Sequence, residues 1–184
     1  MDIRKAINQL LLEDHNHEFG CAMLYFNFPQ IFKIHSAIKE EDIYVDEEDP
    51  SFGLESEPHC TLLFGLHPEV TTDDITRVIN GHDLDKTFMV SNMSIFDNPE
   101  YDVLKFDVGY KIKGGNVLGK INTQLKSFPH KESPYEYHPH MTIAYLKKGE
   151  GQKYVDAYKG TQFNLQPSYA VYSKPDGTQD EIEI

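Results

Sequence analysis

Tryptophan is absent from this chain of 184 residues, arginine occurs only as Arg4 and Arg77, and cysteine only as Cys21 and Cys60. Each scarcity excludes something. Two cysteines cannot make the disulfide framework of a small secreted domain or an all-thiolate zinc site, and both stand in apolar, strand-like runs as reduced core residues do. Arginine poverty, with a formal charge of −13, excludes a protein that coats long nucleic acid, because such binders neutralise many phosphates and carry a basic footprint. No stretch approaches the roughly 20 apolar residues that span a bilayer. Residues Met1 to Leu12 include Asp2, Arg4 and Lys5, so they lack the uninterrupted apolar core of a signal peptide. The expectation is a cytoplasmic protein with no membrane partner and no long duplex partner.

What is abundant is acid. The run Glu40 to Asp49 holds seven acidic residues in ten positions and reads as a solvated loop, since the spacing and glycine of an EF-hand are missing.

Residues Asp2 to Leu12 place Ile3, Ile7, Leu10 and Leu11 at helical intervals, which predicts a short amphipathic helix. Cys21 to Phe28 reads as a buried strand ended by Pro29, and Ile31, Ile34, His35 and Ile38 share one helix face. A loop from Glu40 to Glu57 leads to a strand beginning at His59. Thr71 or Thr72 caps a helix from Asp73 to about Gly81. Phe88 to Phe96 and Val103 to Tyr110 form a hairpin, and Val117, Leu118, Ile121 and Leu125 mark a helix ending near Phe128. A strand from His140 to Leu146, a short helix around Tyr154 to Tyr158, and strands at Phe163 to Leu165, Tyr169 to Tyr172 and Glu181 to Ile184 complete the order. Helices alternating with antiparallel strands in each half give an α+β fold with two sheets facing a shared cleft, the whole of 1–184 forming one bilobal domain.

The pattern Pro-His-x-Thr-apolar occurs twice, as Pro58 His59 Cys60 Thr61 Leu62 and as Pro139 His140 Met141 Thr142 Ile143, 81 positions apart. Side chains alternate along a strand, so His59 and Thr61 share one face, and His140 and Thr142 repeat the arrangement. Regular alternation sends Phe64 and Tyr145 to the opposite face, into packing. Glu57 and His138, two residues before each histidine, flank the same site. Cleaving a phosphodiester beside a ribose hydroxyl needs a base, an acid and hydrogen-bond donors for the non-bridging oxygens. Two imidazoles, with an ordinary pKa of about 6.5, and two hydroxyls supply that set. Tyr25, Tyr135 and Tyr137 are candidates to stack on bases, and Lys147 or Lys148 to add positive charge beside a phosphate.

On these two motifs the chain resembles the 2H phosphoesterase superfamily, which includes bacterial 2′,5′ RNA ligase-like proteins and cyclic phosphodiesterases. The resemblance implies a bilobal α+β fold, two antiparallel sheets around a central cleft with helices outside, and one motif strand from each lobe. It implies catalysis by His59, Thr61, His140 and Thr142 with no metal or cofactor; Tyr25, Tyr137 and Lys147 stand beside it as the substrate-binding residues expected from stacking and charge. The short acidic architecture also resembles phage anti-CBASS nucleases, which degrade cyclic oligonucleotide signals and act in the host cytoplasm. The expected substrate is therefore a short or cyclic oligonucleotide. RNA 2′,5′ ligation or processing of a 2′,3′-cyclic phosphate is the alternative chemistry, and a non-catalytic nucleotide-binding protein is the alternative class. A metalloenzyme built on His15 and His17, or on His138 and His140 with nearby acids, is a further rival. It lacks a third ligand at a dependable spacing.

Overall fold

A computed structural model describes residues 18–109 and 116–184; the helix expected over Asp2 to Leu12, and His15 and His17, lie outside them. Eight strands form one antiparallel sheet: β1 (Gly20–Phe26), β2 (His59–Leu66), β3 (Phe88–Asp97), β4 (Tyr101–Val108), β5 (His140–Lys147), β6 (Gln162–Leu165), β7 (Pro167–Ser173) and β8 (Gln179–Ile182). Their spatial order is β6-β3-β4-β5-β2-β1-β7-β8. The two sheets expected from the sequence are the halves β6-β3-β4-β5 and β2-β1-β7-β8. They meet where β2 pairs with β5 through the single registered partners Cys60 and Met141.

Beyond that crossing β2 and β5 diverge, and loops fill the wedge. Leu54 and Ile43 bridge to Ala144 and Leu146 of β5, while His130 bridges to Leu66 of β2. Each motif strand is thus continued by a segment of the loop that precedes a motif. Gly65 permits the second approach. Its φ is +99°, and a Cβ there would stand 3.1 Å from the Lys131 Cβ and 3.2 Å from its carbonyl oxygen, which only glycine avoids.

Four α-helices stand among the described residues: α1 (Ile31–Ala37), α2 (Thr72–Asn80), α3 (Val117–Leu125) and α4 (Gln152–Ala157). A capping box starts α2, with the Thr71 hydroxyl accepting from Asp74 N at 3.3 Å and Asp74 Oδ2 accepting from Thr71 N at 3.1 Å. The helices cross between halves. The α1 helix follows β1 but packs on β5, whereas α3 follows β4 but packs on β2. Ile31, Ile34, Ile75, Ile79, Leu118, Ile121 and Leu125 join Ala22, Leu24, Cys60, Leu62, Met141 and Ile143 in one buried core. That core lies on the face opposite to His59, Thr61, His140 and Thr142, all of which are partly exposed. No helix of the described residues is long and apolar enough to cross a membrane.

Candidate active site

The Cys60–Met141 pair determines the geometry of the motif residues. Because antiparallel partners run in opposite senses, His59 lies across from Thr142 and Thr61 across from His140. The four side chains occupy the corners of a quadrilateral with the histidines on one diagonal. In a regular ladder such diagonal neighbours are roughly 7–8 Å apart, which leaves room for one phosphate between two imidazoles.

Both rings are tethered alike. His59 Nδ1 contacts the carbonyl oxygen of Glu57 at 2.9 Å, and His140 Nδ1 that of His138 at 2.8 Å. A carbonyl only accepts, so in each ring Nδ1 carries the proton that is donated and Nε2 is left for another partner. The Pro at the intervening position turns the chain so that the carbonyl two residues back reaches the ring; His130, after Phe128 and Pro129, makes the same contact at 2.8 Å. Glu57 and His138 therefore flank the site through their backbone.

Each motif strand carries a β-bulge at the same place. Ala22 and Met23 of β1 are consecutive but pair with Leu63 and Thr61, and Leu104 and Lys105 of β4 pair with Ala144 and Thr142. Leu62 and Ile143 are the extra residues, and an extra residue reverses the alternation beyond it. The expected packing of Phe64 and Tyr145 fails for this reason. Phe64 is 58 % exposed, and Tyr145 sits among Phe52, Tyr101 and, beyond them, Tyr44 in ring contacts of 5.0–5.7 Å, edge-to-face except for the tilted Tyr44–Tyr101 pair. Both rings lie on the motif face, one at each end. Helix side chains hold the bulge carbonyls: Asn122 of α3 donates to Leu62 O at 2.7 Å and His35 of α1 donates from Nε2 to Ile143 O at 3.0 Å.

The surroundings of the two histidines differ. In register across β7, β1 and β2 stand Tyr169, Tyr25 and His59. Tyr25 stacks on Tyr169 with centroids 5.0 Å apart and lies against the His59 ring at 5.1 Å. Tyr25 is thus beside the motif but flanked by rings on both sides, so it supports the imidazole. Burial, followed by the charges of Glu57 and Glu55, pushes its phenol well above the ordinary range. Beside His140, Lys105 and Asp107 of β4 face Thr142 and His140. Lys105 is buried, and its Nζ donates to Asp107 Oδ1 at 2.6 Å and stands 4.6 Å from the Phe96 ring centre. Asp107 also accepts from His138 Nε2 at 2.9 Å and from Asn92 Nδ2 at 2.6 Å. Burial opposes its charge, but the Lys105, Asn92 and His138 donors hold its carboxyl below the usual range. Asn92 reaches it from a bulge in β3 with φ 58°, a conformation asparagine tolerates. Phe96 meets the His140 ring edge-on at 4.7 Å. Burial, reinforced by Lys105, His138 and His59, lowers the His140 pKa against its backbone bond.

The remaining candidates fall elsewhere. Tyr137 is half-buried and packs against the core, its hydroxyl donating to Thr61 O at 3.0 Å, so it braces β2. Tyr135 is 81 % exposed. Lys147 is seven residues beyond His140, about 23 Å along the strand, and its Nζ donates to Glu41 O at 2.7 Å; Lys148 bonds Asn98 O at 2.6 Å. Neither is brought to the motifs. Among the described residues the buried cation is Lys105, which sequence reading missed, although Lys105 and Asp107 two apart inside the apolar run Val103 to Val108 signal a charge pair on one strand face. Among the described residues, no group of three His, Cys, Asp or Glu stands together as metal ligands do.

No protein-family model and no curated protein matches this chain by sequence. Comparison of structures does find likenesses. Usb1 from Kluyveromyces marxianus superposes with a TM-score of 0.54 at 9% identity, covering 92% of this chain and 99% of Usb1. The fold is that of Usb1. The same Usb1 with uridine monophosphate superposes with a TM-score of 0.55 at 9% identity, over 92% and 100% of the two chains.

Proposed function

We propose that this protein is a metal-independent phosphodiesterase of the 2H type acting on a short or cyclic oligonucleotide. The observation that carries the reading is the Cys60–Met141 crossing, which sets two tethered imidazoles and two hydroxyls on one exposed face. His59 and His140 act as the acid and base pair, and Thr61 and Thr142 donate to the non-bridging oxygens. Lys105 supplies the nearby positive charge that arginine supplies in other phosphate sites. Phe64 and Tyr145 offer bases a platform at either end of the face. The shared fold with Usb1, whose structure with uridine monophosphate is known, supports a nucleotide at this face.

Incubation in EDTA with a panel of cyclic dinucleotides, cyclic trinucleotides and short RNAs, with products identified by mass, tests the reading. The expected result is catalytic conversion of at least one member, with His59→Ala and His140→Ala each lowering turnover about 10²–10⁴-fold while circular dichroism is unchanged. Stoichiometric binding without conversion, or near-native turnover in either variant, would overturn it. A cyclic oligonucleotide as the preferred member would fit degradation of an immune signal.

A further inference from the structure

Where the loop before the second motif meets the far end of β2, it assembles a cluster that the acid and base chemistry does not use. Gly20 and Cys21 of β1 pair with Leu66 and Phe64, so Gly65 is the extra residue of a second bulge in β2, three residues beyond Leu62. The two bulges hold Phe64 between them, on the motif face and about 10 Å along the strand from Thr61. The loop is fixed to the same place by its backbone: Lys131 N donates to Gly65 O at 2.8 Å, and His67 N to Pro129 O at 3.1 Å. Alternation about that pairing puts His130 and Glu132 on one side, with His130 Nε2 3.7 Å from Glu132 Oε1, and Lys131 on the other. Lys131 Nζ stands 5.2 Å from the Phe19 ring centre, and Phe19 meets Phe64 edge-on at 6.5 Å and His67 at 5.6 Å. Glu69 approaches this cluster through His67, at 3.8 Å from Nδ1. Lys131 itself is exposed, and among the described residues its ammonium has no carboxylate partner.

The β5 end of the same face carries the opposite charge. Burial raises the Tyr145 phenol, helped by Glu55, Tyr101 and Asp49, and raises that of Tyr44, helped by Asp46 and Glu100. Carboxylates therefore stand around the aromatic cluster there, and Lys147 and Lys148 are tied to Glu41 O and Asn98 O. A phosphate is repelled at that end. An open aromatic ring beside an ammonium without an acid suits a base together with a phosphate.

We infer that the β2 end of the motif face is a subsite for the nucleotide adjoining the scissile phosphate, with Phe64 under its base and Lys131 on its far phosphate. The inference rests on the phosphodiesterase reading, which places the scissile group at the motifs. The unit recognised from Thr61 through Phe64 to Lys131 is then one nucleoside flanked by two phosphates: a 3′,5′-bisphosphate unit for a 3′-5′ linkage, a 2′,5′-bisphosphate unit for a 2′-5′ linkage. Stacking accepts every base because each has a π-face, so this end reads the second phosphate rather than the base.

Isothermal titration of the full chain with nucleoside 3′,5′- and 2′,5′-bisphosphates and the corresponding monophosphates, in each of the four bases, measures the subsite without turnover. Wild type binds one bisphosphate series about 10-fold more tightly than its best monophosphate, as one charge-assisted hydrogen bond gives. Lys131→Gln brings that ratio to about 1 and Lys131→Arg keeps it, while Lys147→Gln, at the other end, leaves it as in wild type. Phe64→Ala weakens bisphosphate and monophosphate alike by about 10-fold. No bisphosphate advantage in wild type, or an advantage that survives Lys131→Gln, overturns the subsite whatever the protein turns over. An advantage lost in Lys131→Gln, in a protein that converts no member of the EDTA panel, keeps the subsite and removes the phosphodiesterase reading instead.

Discussion

At the scale of single residues, a histidine is useful to this site only if one nitrogen is spoken for. The Glu57 and His138 carbonyls take up Nδ1 in each ring, and the prolines between make that contact local in sequence. What differs is charge. Burial, then Lys105, His138 and His59, bring His140 below the ordinary histidine value, so its neutral form persists into mildly acidic solution. If His140 is the base, the rising limb of kcat/KM lies below pH of about 6.5, because activity appears as pH rises through the pKa of the group that must lose its proton. A profile measured from acid to alkaline pH checks this; a rising limb above that value would contradict the electrostatics.

At the scale of elements, the bulges matter most. A one-residue insertion at Leu62 and at Ile143 leaves His and Thr on one face and then turns Phe64 and Tyr145 back to it. Phe64→Ala should raise KM for an oligonucleotide by the loss of stacking, about 1–3 kcal/mol, with stability within about 0.5 kcal/mol of wild type. Leu62→Ala, two residues away but fully buried, should cost about 2–5 kcal/mol of stability, so urea unfolding beside a KM measurement separates the faces. Asn122 is buried and donates to Leu62 O; Asn122→Leu leaves that carbonyl unsatisfied and should cost about 1–3 kcal/mol, read in the same unfolding experiment. The helices bearing Asn122 and His35 each follow a strand of the opposite half, so the bulges also tie the halves together.

At the scale of the whole molecule, a charge of −13 with one buried lysine at the motifs among the described residues means that, on the proposed reading, the protein grips one or two phosphates and repels the rest. Binding should therefore depend weakly on salt. With one contacted phosphate on a single strand, a tenfold rise in salt weakens affinity about 5-fold, and a titration across salt concentrations measures the slope. A slope matching six or more phosphates would require a basic track that the motif face lacks among the described residues. The same economy of contacts explains how a sheet of eight strands serves a site of four side chains: β4 and β1 exist at the site to brace, with Lys105, Asp107 and Tyr25, the two strands that carry it.

The sequence by itself determined the α+β alternation, the strands beginning at His59 and His140, the capped helix after Thr71, and the face shared by each His–Thr pair, because helix and strand periods and proline turns are local. Only the tertiary structure decided the rest. Whether the halves share one sheet depends on the Cys60–Met141 crossing, and the fate of Phe64 and Tyr145 depends on bulges specified by the strands opposite. Lys105 joined the site, and Lys147 left it, because cross-strand register unites residues far apart in sequence. Two motifs alike in sequence acquired unequal surroundings for the same reason: Lys105 and Asp107 of β4 stand against one His–Thr pair, and Tyr25 of β1 against the histidine of the other.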